Sequence, residues 1–255
     1  MSLVSLIVLA VVFFLTSIVG VVTGSNSLIT VPVMFQFGID EKVAVATNMF
    51  GLTFMAVGGT IPFVRRRMID HRKAAPLIVL TLIGSAGGAA LVGFITNQSL
   101  KLIVSVAMIT VAVFTLWRHD AGGAEGVAAG TSNKAMVYPL TLILAVYGGL
   151  YSGGYVTILT AMLVAFYAMP FTEAVGATKL INVFSSLVAT IIFMWQGLVD
   201  YQLGVMLAVV MFAGAYVGAH YASRMNEAWL RRIFLSTVIL LGIKTLYDLW
   251  DAFIR

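Results

Sequence analysis

The sequence predicts an all-α polytopic membrane protein with two homologous four-segment halves, read as inverted repeats, each holding a broken or re-entrant helix pair. Three observations carry this. Of 255 residues, 61% are hydrophobic and 10% charged, with a mean hydropathy of +1.04; a soluble domain runs to roughly 45–50% apolar and about 25% charged. Apolar runs near membrane-spanning length separate the charged clusters. Residues of the second half also echo those of the first at an offset near 130. Composition alone disfavours a soluble enzyme, a disordered chain and a coiled coil, because too few polar residues exist to cover a water-facing surface. The bilayer supplies the missing solvent.

The apolar runs lie near 3–22, 43–64, 74–96, 100–117, 136–150, 174–196, 202–222 and 233–250. Most approach the ~20 residues that cross ~30 Å of hydrocarbon as helix. They are continuously apolar and lack the alternation of a barrel strand. The first run has no basic segment before it and no A-x-A-like cleavage site, so it is expected to be retained. Two pieces, 28–37 and 155–168, are only half a membrane long. Each follows a break: Thr23-Gly24-Ser25-Asn26-Ser27 in one case, Tyr151-Ser152-Gly153-Gly154 in the other. Irregular backbone at membrane depth survives only buried in protein or lining a wet cavity, and paired breaks at matching places point to a transporter binding site. The expected organisation is a first membrane repeat over 1–117, a polar Gly/Ala-rich linker over 118–135 and a second repeat over 136–255.

Several short matches define the repeat. Ala46-Thr47 corresponds to Ala177-Thr178, Ile69-Asp70 to Val199-Asp200, and Lys101-Leu102-Ile103 to Arg231-Arg232-Ile233. Gly20-x-x-x-Gly24 corresponds to Gly149-x-x-x-Gly153, and Gly84-x-x-x-Gly88 to Gly214-x-x-x-Gly218. The glycine pairs at 84/88 and 214/218 read most simply as close-packing faces. Charge addresses orientation. If each broken pair dips in and returns, each half crosses three times, the halves are inverted, and Lys/Arg divide ten inside to three outside. With four crossings per half they divide eight to five. Basic residues favour the cytoplasmic side, so the inverted arrangement is expected, although run 3–22 is long enough to span alone.

Candidate site residues cluster at the breaks. A helix N-terminus offers unpaired N–H groups and partial positive charge, which suits an anion. Gly24, Ser25, Asn26 and Ser27 sit at one such start and Ser152, Gly153 and Gly154 at the other; the serines and Asn26 either cap the helix or donate to a ligand. Lys179, six residues beyond Glu173, lies within an apolar run where its counterpart is Asn48. A lysine there costs about 2.5–3.5 kcal/mol on insertion scales and is a functional candidate by default; the alternatives are snorkelling or pairing with Glu173. Thr47, Asn48, Thr178 and Asn182 add hydroxyl and amide groups on the same two helices, and Thr178, Asn182, Ser185 and Ser186 share one helical face. Lys244 and Asp248, four apart, are expected to pair with each other.

Cysteine is absent, which excludes a catalytic thiol, a disulfide scaffold and a thiolate metal site. The three histidines have no metal-ligand spacing, and no HExxH, P-loop or Ser/His/Asp set appears. No enzyme activity, cofactor or metal is expected. The excess of 15 Lys/Arg over 10 Asp/Glu reads as loop charge rather than a nucleic-acid surface. No Asp or Glu sits deep in an apolar run, and a fixed lysine beside helix N-termini suits an anion better than a cation.

With these residues in hand, the chain resembles the TauE/SafE family of sulfite and organosulfonate permeases over nearly its whole length. The resemblance rests on GVVTGSNSLITVPVMFQFGIDEKVAVATNMF, on GGLYSGGYVTILTAMLVAFYAMPFTEAVGATKLI and on the basic RRRMIDHRKA. Where the family often shows a run of glycines in the first break, this chain has Gly24-Ser25-Asn26-Ser27. Membership implies export of a small sulfur oxyanion or sulfonate across a bacterial-type inner membrane by a multi-pass carrier. An anion channel and a non-transporting scaffold or sensor are the alternatives. The expected partners are the anionic substrate and the lipid bilayer, and the sequence leaves a homodimer open.

Overall fold

The computed structural model describes residues 3–24, 26–106, 110, 134–226, 229, 232 and 236. Helix α1 (Leu3–Thr23) leads through a break into the short α2 (Ser27–Gln36), followed by α3 (Glu41–Arg65) and α4 (His71–Phe94). Residues 97–106 form α5. The second half repeats the order with α6 (Lys134–Leu150), the short α7 (Tyr155–Phe166), α8 (Phe171–Trp195) and α9 (Tyr201–Ala222). No strand occurs among the described residues. Helices α1, α3, α4, α8 and α9 are long and apolar enough to cross a bilayer. The protein is a multi-pass membrane protein. Helix α6 begins at Lys134, two residues inside the expected linker; the remainder of that linker and the Lys244–Asp248 pair lie outside the described residues.

Local signals explain the starts. Asp40, Asp70 and Asp200 each accept hydrogen bonds from the main-chain N–H groups that open α3, α4 and α9, the N-cap arrangement that satisfies orphan donors. Pro170, at φ −52°, opens α8. Three pairs of residues with left-handed backbone recur at an offset of 130: Gly24 and Gly154, Gly38 and Ala168, Arg67 and Gly197. The bounds of α3 and α8 share that offset. This backbone register corrects two of the sequence matches. Gly24 pairs with Gly154 rather than Gly153, because the glycine is needed where φ is positive. Asn48 pairs with Thr178, which leaves Lys179 opposite Met49.

Packing fixes the direction of each helix. Gly214 lies against Phe14 and Gly218 against Ile18, so α1 and α9 run the same way. Thr47 meets Asp200, Gly58 meets Phe212 and Arg65 meets Tyr216, so α3 runs with them. Ser85 meets Ser185 and Ala89 meets Gln196, which makes α4 and α8 parallel, and Gly84 and Gly88 pack along α6 in the same sense. Between α3 and α8, however, Thr53 meets Thr190 while Phe63 meets Gly176. These two are antiparallel. Helix α1 therefore runs with α3, and α2 brings the chain back to the end from which α3 starts. The pair α6–α7 does the same before α8.

One end of the bundle gathers Arg65, Arg66, Arg67, Arg72, Lys73 and Arg224, tied by Arg66 donating to the Ser223 carbonyl at 3.0 Å and by a 3.0 Å Lys73–Glu173 ion pair. The other end carries Asp40, Glu41, Lys42 and Asp200, with the Asn97 amide on the Asp40 carboxylate and Lys42 donating to the Gly93 carbonyl. Outward faces are apolar, as at Leu3, Ile7, Val11, Val79, Ile83, Ile191 and Val209. Hydroxyls and amides are buried instead.

Small residues hold the helices together, since lipid offers no hydrophobic drive for helix association. A Cβ on Gly58 would sit 2.6 Å from the Phe212 carbonyl oxygen, whereas one on Gly87 would meet nothing within 4 Å. Gly58→Val is expected to cost about 1–3 kcal/mol by overpacking and to lower the thermal transition in detergent by several degrees. Gly87→Val should leave it unchanged. Differential scanning fluorimetry of the two variants measures the contrast.

Candidate functional site

The two breaks meet inside the bundle. Thr23 ends α1, Gly24 turns the chain at φ 74°, and Gly154 turns it at φ 78° before α7. The hydroxyls of Ser27 and Ser152 are 2.8 Å apart. Tyr151 donates its hydroxyl to the Ser27 carbonyl at 2.9 Å, and Thr157 donates to the Thr23 carbonyl at 2.7 Å. Side chains of the second half thus satisfy main-chain oxygens at the first break, as a medium without water requires. Asn48 stands behind the contact, donating through Nδ2 to Ser27 Oγ at 2.9 Å and accepting from Thr30 at 2.8 Å. The same bridge recurs in the second half as Thr160–Thr178, at 3.1 Å. The Tyr147 hydroxyl donates to the Gly153 carbonyl.

Beside this junction lies a small cavity. Its polar wall consists of Asn26, Ser27, Ser152, Lys179 and Asn182, its apolar wall of Val21, Leu52, Met55, Ala56 and Val156, with Gly20 and Gly24 between them. Lys179 is only 3% exposed, and its ammonium donates to the Gly20 carbonyl at 3.4 Å. Among the described residues no carboxylate is paired with it. Glu173, the partner considered from sequence, is engaged by Lys73 instead. With α8 starting at Phe171, Lys179 lies about 12 Å along the helix at 1.5 Å per residue. A lysine held that deep in a membrane helix and lacking an anion is a demanding group, and it faces the cavity.

Asn26 is the second such group. It immediately precedes α2 with φ −52° and ψ −51°, and its side chain makes no capping bond. It is 3% exposed, and neither Oδ1 nor Nδ2 has a hydrogen-bond partner. A buried polar group left unsatisfied costs about 1–3 kcal/mol. Capping, one of the two roles open from sequence, is not what this side chain does. Ser27 and Ser152 likewise serve the junction rather than a cap.

Of the expected site residues, Gly24, Asn26, Ser27, Ser152, Lys179 and Asn182 line the cavity. Asn48 supports it from one layer behind. Three do other things: Thr47 accepts a hydrogen bond from the Asp200 main chain at the far end, Thr178 bonds Thr160 and the Val175 carbonyl, and Gly153 receives Tyr147. Gly154 supplies the turn. Ser25 lies outside the described residues. Sequence reasoning gave no role to Tyr151, Thr157 or Thr30. The Thr30–Thr160 match at an offset of 130 was the available signal for one of them. At that offset Lys179 stands opposite Met49, Asn182 opposite Leu52, and Asn26 opposite Val156, so each polar group in this set has an apolar twin. No group of three His, Asp or Glu residues able to hold a metal occurs among the described residues.

A family model described as the sulfite exporter TauE/SafE matches residues 9–245. The chain belongs to the TauE/SafE family. Relatives carry names of the same kind. A probable membrane transporter protein, ORF9, from Sinorhizobium is 24% identical over 94% of this chain and 92% of its own. Its counterpart YfcA from Escherichia coli K12 is 25% identical over 96% and 92%, and YdhB from Bacillus subtilis is 24% identical over 95% and 100%. No solved structure matches. The TauE/SafE chain is therefore a membrane transporter rather than an enzyme.

Since Glu173 pairs with Lys73 and not with Lys179, Glu173→Gln is expected to leave transport flux within about twofold of the parent. Its stability cost should be at most about 1 kcal/mol, as for a partly exposed ion pair. Flux and thermal denaturation on the one variant check both statements.

Proposed function

We propose that this TauE/SafE protein is a secondary transporter that moves a small sulfur-containing anion, sulfite or an organosulfonate, outward across a bacterial-type inner membrane. The observation that carries the reading is Lys179: a buried ammonium without a carboxylate, facing a cavity where two helix breaks meet. An anion beside it supplies the missing countercharge. The start of α2, at Ser27 on the cavity wall, adds main-chain N–H groups and partial positive charge. Ser152 and Asn182 add further polar contacts. For an anion leaving an inside-negative cell, the potential contributes ~2.3 kcal/mol per charge per 100 mV, so outward movement needs no second ion.

The two halves are, in this reading, inverted repeats that rock about the shared junction. Three features support it. The equivalent helices α3 and α8 run antiparallel. Each broken pair returns to the end it came from. The basic segment 65–73 lies at the same end as Ser223 and Arg224, as expected when both face the cytoplasm. The family name favours sulfite among anions.

Lys179→Ala in proteoliposomes is expected to lower saturable sulfite efflux at least tenfold at equal incorporation. Unchanged saturable efflux would remove the lysine from the mechanism; non-saturating flux would assign a channel, and no flux of any anion a scaffold. Orientation has an independent measurement, because the chain has no cysteine. Single cysteines replacing Arg67 and Arg224 should be labelled from the cytoplasmic side, and one replacing Asp200 from the opposite side. Labelling of position 224 from outside sinks the inverted arrangement.

A further inference from the structure

We propose that the ligand of this cavity is a small organic monoanion carrying its own hydroxyl group, and that Asn26 selects for that hydroxyl. The inference rests on the anion-site reading above and adds a chemical requirement to it. Asn26 brings a donor and an acceptor side by side, both buried and both without partners. An anion that offers only acceptors satisfies the NH₂ group and leaves the carbonyl oxygen bare. A hydroxyl gives and receives one hydrogen bond, so it answers both halves of the amide.

Lys179 decides which donor is suitable. Its ammonium lies on the Gly20 carbonyl, and a Cβ built on Gly20 would be 2.9 Å from the Asn26 Cβ, so the two side chains flank the same residue. An ammonium donor on the ligand would face that like charge with no carboxylate to receive it. A neutral hydroxyl does not. Leu52 and Met55 offer an apolar wall for the carbon between hydroxyl and anionic head. The fold itself does not ask for an amide here: Val156, two residues after Gly154 as Asn26 is two after Gly24, occupies the equivalent position and lines the same cavity.

Proteoliposomes holding the full chain decide the matter with three near-isosteric probes: 2-hydroxyethanesulfonate, propane-1-sulfonate and taurine, with sulfite as reference. The half-saturating concentration of the hydroxylated anion is expected to be at least tenfold below those of the methyl and ammonium analogues, since a site built to bond a hydroxyl rejects ligands lacking it. In Asn26→Leu that ratio should fall to about twofold while propane-1-sulfonate is still carried. Equal half-saturation of all three by the parent protein, or transport of sulfite alone, overturns the proposal and leaves the anion-site reading standing. Absence of flux for every anion overturns both. The parent comparison is decisive by itself if the Leu variant does not fold.

Discussion

Where α1 gives way to α2 and α6 to α7, main-chain carbonyls lose their helical partners within a medium that holds no water. Each orphan must be met by protein. The partners come from the second half: Tyr151 covers the Ser27 carbonyl and Thr157 covers the Thr23 carbonyl, with Ser27 and Ser152 in contact between them. The first break is not satisfied without the second. The two halves are consequently bound at their interruptions, and the surrounding helices take positions that allow that meeting. The cavity is the space left beside it.

Reaching that meeting requires close approach of several helix axes. Gly84, Gly88, Gly214 and Gly218 allow it, since each would place an added Cβ on a neighbouring helix's main chain or side chain. Hydroxyls such as Thr53–Thr190 and Ser85–Ser185 then bridge neighbouring helices. The outcome departs from the soluble pattern: isoleucine and valine cover much of the outside, and serine, threonine and asparagine share the interior with apolar side chains. The two largest fully buried side chains, Tyr151 and Tyr155, belong to the second break and the first residue of α7.

Helix positions were legible because a span of hydrocarbon imposes a run of apolar residues, and charges mark where each run ends. The breaks were legible too, as glycine and serine interrupting short apolar pieces. Lys179 stood out for its cost in lipid. What sequence could not supply was the partner of each polar group. Thr47 and Thr178 look the same as Asn182 when read along a helix, yet Thr47 bonds the start of α9 and Thr178 bonds α7. Helical periodicity places a residue on a face without naming what that face meets. The repeat register slipped by one at Gly153 because two adjacent glycines offer the same letter, and only backbone geometry shows which has positive φ. Asn26 resembled a cap in sequence because a polar residue before a short helix usually is one.

The offset of 130 relates the backbone of one half to the other, but it does not relate their chemistry. Met49, Leu52 and Val156 stand where symmetry would place a second lysine and two further amides. A doubled scaffold thus carries an undoubled charge. The cavity ammonium comes from α8 alone, which starts at the arginine-rich end where Glu173 meets Lys73. The asymmetry between the halves at the cavity therefore resides in side chains rather than in the backbone register.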